Sequence, residues 1–132
     1  MEKRDLIIKV LEDLGLRPEL DVDGDVTFLY QMKRFFAIVG NEDEKFIVLA
    51  LPQFYDIEEG NEHLAFVASN KLTRDVKLMK VFVDEILKRV SANCDFFYTD
   101  EESLKHHVKY ALRLMGLVKT LFRRNMDELT EI

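Results

Sequence analysis

LDVDGDVTFLYQMKRFFAIVGNEDEKFIVLALP, residues 20–52, is the stretch whose reading decides the fold. Leu20 and Val22 alternate with acids and lead into Asp23-Gly24. That dipeptide predicts a two-residue type I′ hairpin, because both central residues of such a turn need positive φ. Val26, Phe28 and Tyr30 then alternate with Asp25, Thr27, Leu29 and Gln31, the period of a strand with one buried face. A third apolar run, Phe35 to Val39, ends at Gly40-Asn41, and a fourth, Phe46 to Leu51, ends at Pro52. The charged turn Asn41 to Lys45 separates them. Four short strands with polar turns between them read as an antiparallel meander.

Upstream of the meander, Leu6, Ile7, Val10, Leu11 and Leu14 recur at helical spacing, followed by Gly15 and Pro18. They predict an amphipathic helix over about residues 2–14, with a left-handed glycine cap. Downstream, an acidic loop (56–62) precedes a second helix over about 61–73. Its inner stripe is read as Leu64, Val67, Ala68 and Leu72, with Asn61 as its cap. Asn70, near its end, is read as a bond to the start of the next strand or, alternatively, as a ligand contact. Val76 to Val83 is one strand. Ile86, Val90, Ala92, Cys94, Phe96 and Tyr98 share one face of another, after a turn at Asp84-Glu85. Thr99-Asp100-Glu101-Glu102 matches a capping box, with Thr99 at N-cap and Glu102 at N3, and opens a long helix to about residue 128. The order is α-β-β-β-β-α-β-β-α. Strands and helices are segregated, which predicts an α+β fold: an antiparallel sheet of about five to six strands with helices mainly on one face. No repeat or linker interrupts the chain, so one domain over 1–132 is expected.

The last helix is the most informative segment for function. Leu104, Val108, Ala111, Met115, Val118 and Phe122 form one stripe, with spacings of 4, 3, 4, 3 and 4. Tyr110, Leu114, Leu117 and Leu121 form a second stripe about 110° away. Together they make an apolar arc wider than one sheet face needs. Either the helix is sandwiched inside its own domain, or the second stripe meets another subunit or partner. A homodimer is the expectation, symmetric dimers being the commonest oligomers. The remaining face carries Lys105, Lys109, Arg113, Arg123 and Arg124, with His106 and Lys119. No Asp or Glu occurs from Ser103 to Met126, so this stretch holds +6 in a chain of net charge −6. Such asymmetry marks an electrostatic surface for an acidic protein segment, nucleic acid or anionic lipid. The plainer reading is a solvated face whose charges pair with the acidic loops at 41–45 and 56–62.

The chain has 132 residues, enough to bury a core without disulfides or metal. Its acidic balance is unlike that of a nucleic-acid-binding domain. Cys94 is the single cysteine, so no internal disulfide forms and a reducing, cytoplasmic setting is expected. No signal-peptide pattern and no membrane-length apolar run is present.

No catalytic or cofactor signature emerges. Asp21, Asp23 and Asp25 start like a calcium loop, but Gly24 falls at position 4 and Met32 at position 12. His106 and His107 are adjacent, not at the i, i+4 spacing of a helical metal pair, and His107 reads as a partly buried histidine. Cys94 lies on an apolar strand face without a basic neighbour. Glycines are scattered singly, without a phosphate-binding loop. A non-enzymatic chain with no cofactor and no metal is therefore expected.

Val67-Ala68-Ser69-Asn70-Lys71-Leu72, leading into Val76-Lys77-Leu78-Met79-Lys80-Val81-Phe82-Val83-Asp84-Glu85, resembles the bacterial sensory-transduction-regulator-like family. There a helix bearing Asn is followed by a strand of Lys, hydrophobic residues and an acid, and a long amphipathic helix closes the domain, as Leu104 to Phe122 would here. The architecture also resembles type III secretion chaperones, which are small acidic homodimers. The resemblance spans about residues 2–126. It implies a chaperone-like or regulatory homodimer that binds another protein, sheet edges and hydrophobic grooves being the usual means; the second stripe (Tyr110, Leu114, Leu117 and Leu121) is read as the dimer or partner contact. The alternative is a nucleic-acid or anionic-surface binder using Lys105, Lys109, Arg113, Arg123 and Arg124.

Overall fold

The computed structural model describes residues 1–131, so of the expected domain only Ile132 lies outside the description. The elements are α1 (Lys3–Asp13), β1 (Glu19–Leu20), β2 (Val26–Tyr30), β3 (Lys33–Ile38), β4 (Phe46–Asp56), α2 (Glu62–Asp75), β5 (Met79–Val83), β6 (Arg89–Phe97), α3 (Glu101–Met115) and α4 (Val118–Thr130). The strands form one antiparallel sheet in the order β1-β2-β3-β4-β6-β5. The fold is α+β in the expected order, with the helices over one face. The meander joins the last two strands through the long β4–β6 ladder, from Phe46↔Phe97 to Asp56↔Arg89.

The alternation that predicted the strands also places the core. Val26 and Phe28, Phe35 and Ala37, Ile47 and Leu49, and Val90, Ala92 and Cys94 turn towards the helices and are fully buried. They meet Leu104, Val108, Ala111, Met115, Val118 and Phe122, the first stripe of the last helical segment. Thr27, Leu29, Phe36, Ile38, Phe46, Val48, Asn93, Asp95, Phe97, Lys80 and Phe82 occupy the opposite, helix-free face by the same alternation.

Several local expectations are corrected. The Asp23-Gly24 hairpin is not a two-residue turn. The Gly24 N–H donates to Asp21 O, and the Asp21 N–H donates to Asp25 O, so the loop has three residues. Only Gly24 has positive φ there. The Asp21 carboxylate accepts the N–H groups of Asp23 and Asp25, and this side-chain turn outcompetes the tighter one. The two-residue turn instead lies at Gln31-Met32, both left-handed (φ 52° and 66°), between the paired Tyr30 and Lys33.

Pro52 does not end β4. It lies at a bulge where the ladder is interrupted, so its missing N–H costs no ladder bond. Gln53 (φ 54°) carries the bulge, and its N–H donates to Ser91 Oγ at 2.8 Å. β5 starts only at Met79, and Ile86 lies in the β5–β6 turn, not in the strand. There the Asp84 carboxylate accepts the N–H groups of Lys88 and Arg89.

α2 buries Ala65, Ala68, Ser69 and Leu72, and leaves Val67 exposed. Its inner stripe is rotated from the expected one, because α2 packs on both β5 and α4. Asn61 makes no side-chain cap. The N-cap of α3 is Asp100, not Thr99. Asp100 Oδ1 accepts the Ser103 N–H at 2.8 Å, and Ser103 Oγ accepts the Asp100 N–H at 3.0 Å. A carboxylate at the positive helix end is the stronger acceptor. Hydrogen bonding to Ser103 holds the Asp100 carboxyl below its usual range.

The last helical segment is not continuous. It bends at Gly116-Leu117 into α3 and α4. Gly116 has ordinary helical φ, so conformation does not demand glycine there. Space is tight instead: a Cβ at Gly116 would lie 3.2 Å from the Leu112 carbonyl and from the Tyr30 ring and would push the Gln31 side chain aside. The hairpin corner fills the notch of the bend.

Candidate functional site

The α3–α4 bend divides the second apolar stripe. Leu121 packs on the core and Leu114 is half-buried, whereas Tyr110 (45% exposed) and Leu117 (57%) face outward. The four residues therefore do not form one continuous outward stripe. Beside Tyr110, a shallow cleft of about 200 Å³ is lined by Leu14 and Leu16 after α1, Tyr30 of the hairpin corner, and Lys109, Leu112 and Arg113 of α3. Small-molecule sites usually enclose ~300–1,000 Å³, so this cleft suits a few side chains of a larger ligand. Its floor is apolar and its rim cationic.

The basic residues follow the bend as well. Lys105, Lys109 and Arg113 run along α3 at i, i+4, i+8, and Lys109 and Arg113 reach the cleft rim. Arg123 and Arg124 are exposed on α4, where Arg123 lies near Tyr55. Among the described residues, none of these five forms an ion pair, and the expected pairing with the loops at 41–45 and 56–62 is not made. Those loops are tied elsewhere: Glu42 accepts the Lys3 N–H, and Asp56 meets Arg89. Lys33, Arg34 and Lys119 line an adjacent depression beside the β4 bulge, a basic cluster that neither helical nor strand spacing could join.

Groups weighed for chemistry are placed plainly. Cys94 is fully buried, and burial, reinforced by the Asp95 carboxylate, pushes its thiol up to about 12. His107 is half-buried, its ring edge-on to Phe96 at 5.6 Å. Asp25 accepts the Val39 N–H, completing the backbone duties of the loop acids. Asn70 is exposed and makes no bond to the next strand among the described residues. Thr73 does so in its place. Its hydroxyl accepts the Val81 N–H at 2.9 Å and donates to Val81 O at 3.1 Å. Among the described residues, no group of three or more His, Cys, Asp or Glu could hold a metal ion, and no helix is long and apolar enough to cross a membrane.

No protein-family model matches the sequence, and no curated protein matches it. Solved structures match in shape. YbjN, a proposed transcription regulator from E. coli, superposes with a TM-score of 0.67 at 10% identity, over 89% of this chain and 87% of that one. An uncharacterized protein from Methanothermobacter thermautotrophicus superposes with a TM-score of 0.59 at 14% identity, over 94% of this chain and 99% of that one. At such identities the likeness is one of fold: this chain shares the architecture of YbjN and of the archaeal protein.

Proposed function

We propose that this chain is a non-enzymatic, cytoplasmic binding module, regulatory or chaperone-like, that works as a homodimer and holds an acidic amphipathic segment of another protein. The observation that carries the reading is the cleft beside Tyr110. It offers an apolar floor (Leu14, Leu16, Leu112) with Lys109 and Arg113 at its edge, and Leu117, four residues past Arg113 at the bend, is exposed. An amphipathic helix would lay its apolar anchors in such a groove. The unpaired cations favour carboxylates flanking those anchors, and they also raise the encounter rate. The fold shared with a proposed regulator supports the regulatory half of the reading.

The test uses a fluorescein-labelled amphipathic peptide, with leucines on one face and glutamates beside them, and a twin carrying lysines. Fluorescence anisotropy should show binding of the acidic peptide only. Arg113→Glu and Leu117→Glu should each weaken it by about tenfold, that is ~1.4 kcal/mol. Equal binding of the two peptides would refute the reading.

A second reading rests on the same unpaired cations joined by Lys33, Arg34 and Lys119: a nucleic-acid or anionic surface contact. Its signature is a steep fall of oligonucleotide affinity with salt, since each phosphate contact releases counterions. Salt-independent binding would dismiss it.

A further inference from the structure

We infer that the helix-free face of the sheet is the surface on which a second copy of this chain docks, sheet against sheet. The inference deepens the homodimer proposed above and is independent of the peptide cleft. A six-stranded sheet carrying helices on one side only leaves its other side to solvent. The side chains there should then be polar, giving the apolar-in, polar-out alternation of a solvated antiparallel sheet. Here they are not. Leu29 (53% exposed), Ile38 (37%), Phe82 (42%) and Phe97 (74%) stand on that face, with Phe36 and Val48 half-buried among them. The register joins all of these but Phe82 into one patch: Leu29 is diagonal to Phe36, Ile38 is opposite Val48, and Phe97 lies 4.8 Å, ring to ring, from Phe46, while Phe82 stands apart, opposite Ser91.

Area admits a copy-sized occupant. At ~200 Å² per large side chain, Leu29, Ile38 and Phe97 alone show about 330 Å² of apolar surface. That is within the ~300–600 Å² of the largest patch on a typical monomer, a patch that is often functional. Five strands at ~4.8 Å spacing and ~17 Å length present roughly 400 Å² in projection and more in accessible area. The lower end of stable interfaces needs ~600 Å² per partner.

Charge favours the same occupant. The chain carries −6, yet its acidic loops at 21–25, 41–44 and 56–62 lie at strand ends. On the face itself Lys80 is paired with Asp95 and Arg89 with Asp56, while Glu19, opposite Thr27, and Arg34 complete a formally neutral set. Two such faces can meet without the net repulsion that the rest of the acidic surface would bring. A two-fold axis lying between the two sheets and parallel to them would make the contact isologous, with the twisted sheets about 10 Å apart.

The sheet edges are partly guarded against the alternative of strand addition. One edge strand, β1, has two residues. At the other edge, Val81 of β5 has both outward groups occupied by the Thr73 hydroxyl. These features favour association through the face over extension of the sheet.

The experiment is light scattering during size exclusion on the full chain, alongside Ile38→Glu, Phe97→Glu and Leu117→Glu, each checked by circular dichroism. The wild type should run at twice 15.5 kDa. Ile38→Glu and Phe97→Glu should run as folded monomers, their dimer dissociation constants raised at least about 100-fold, while Leu117→Glu stays dimeric. Phe97 is the more exposed of the two and carries the test if Ile38→Glu does not fold. A monomeric wild type overturns the inference. So does a dimer that survives both sheet-face charges or breaks only at Leu117. Peptide binding by a folded Phe97→Glu monomer would separate this result from the cleft reading.

Discussion

Replacing Thr73 by Val tests how the β5 edge is held. Val copies the shape of Thr but removes the hydroxyl that accepts the Val81 N–H at 2.9 Å and donates to Val81 O at 3.1 Å. Two intramolecular hydrogen bonds are lost, each worth ~0.5–1.5 kcal/mol net. The packing is otherwise unchanged, so the expected destabilisation is about 2 kcal/mol, and water at this partly exposed edge keeps it from going higher. With an unfolding entropy of ~2.1 cal/mol/K per residue, a 132-residue chain should lose about 7 °C in Tm. Urea titration followed by circular dichroism gives the free energy directly, with the m-value expected to stay constant. Thr73→Ser, which keeps the hydroxyl, should recover most of the loss. A second readout distinguishes edge protection from simple anchoring: the freed Val81 groups form a template for strand addition, so Thr73→Val should form larger species on concentration. A midpoint within error of wild type, with no added association, would refute the assignment of Thr73 as the guard of this edge.

Phe122→Ala should be among the most damaging single changes, at ~3–5 kcal/mol by urea titration. The Phe122 ring is fully buried between Phe54 (5.8 Å) and Tyr55 (4.7 Å) and fixes α4 over the bulged end of β4. A loss below ~1 kcal/mol would mean that α4 is not docked there. Cys94 should resist a thiol reagent at pH 8 in the native protein and react fully in urea, and rapid native labelling would refute its burial. Its raised pKa stabilises the neutral thiol in the fold. That contribution is complete below the ordinary value of 9.0 and is lost as pH climbs towards about 12.

The fold was legible because its signals are local and periodic. Alternation in residues 26–51 and 90–98, the Gly15 stop of α1 and the first stripe of the last helical segment each report a buried face directly. The failures have physical reasons too. Gln31-Met32 carries no glycine or asparagine, so nothing local marks it as the left-handed turn. Pro52 reads as a terminator unless the bulge beside it is known. The 4-3-4-3-4 spacing passes through Gly116 without a break, so periodicity alone could not reveal the bend, and glycine was the one clue. The cleft was legible only in part. Lys109, Leu112 and Arg113 could be read from helical spacing, but Leu14, Leu16 and Tyr30 arrive from distant segments. The sheet face was overlooked because Leu29, Phe36, Ile38 and Phe97 alternate with core residues. In sequence, a strand apolar on both sides looks like one covered on both sides.

The corner at Gln31-Met32 has a kinetic consequence. Holding two side-chain-bearing residues in the left-handed region costs ~1–2 kcal/mol each. A hairpin with this corner therefore closes against its own local preference and is a poor nucleus. The Gln31 side chain and the Tyr30 ring lie against Gly116 at the α3–α4 bend, so these contacts to the corner form only once α3 and α4 are docked. The β2–β3 corner thus locks on the native side of the folding barrier. Relieving it with Gln31→Asn and Met32→Gly should slow unfolding and leave the folding rate nearly unchanged.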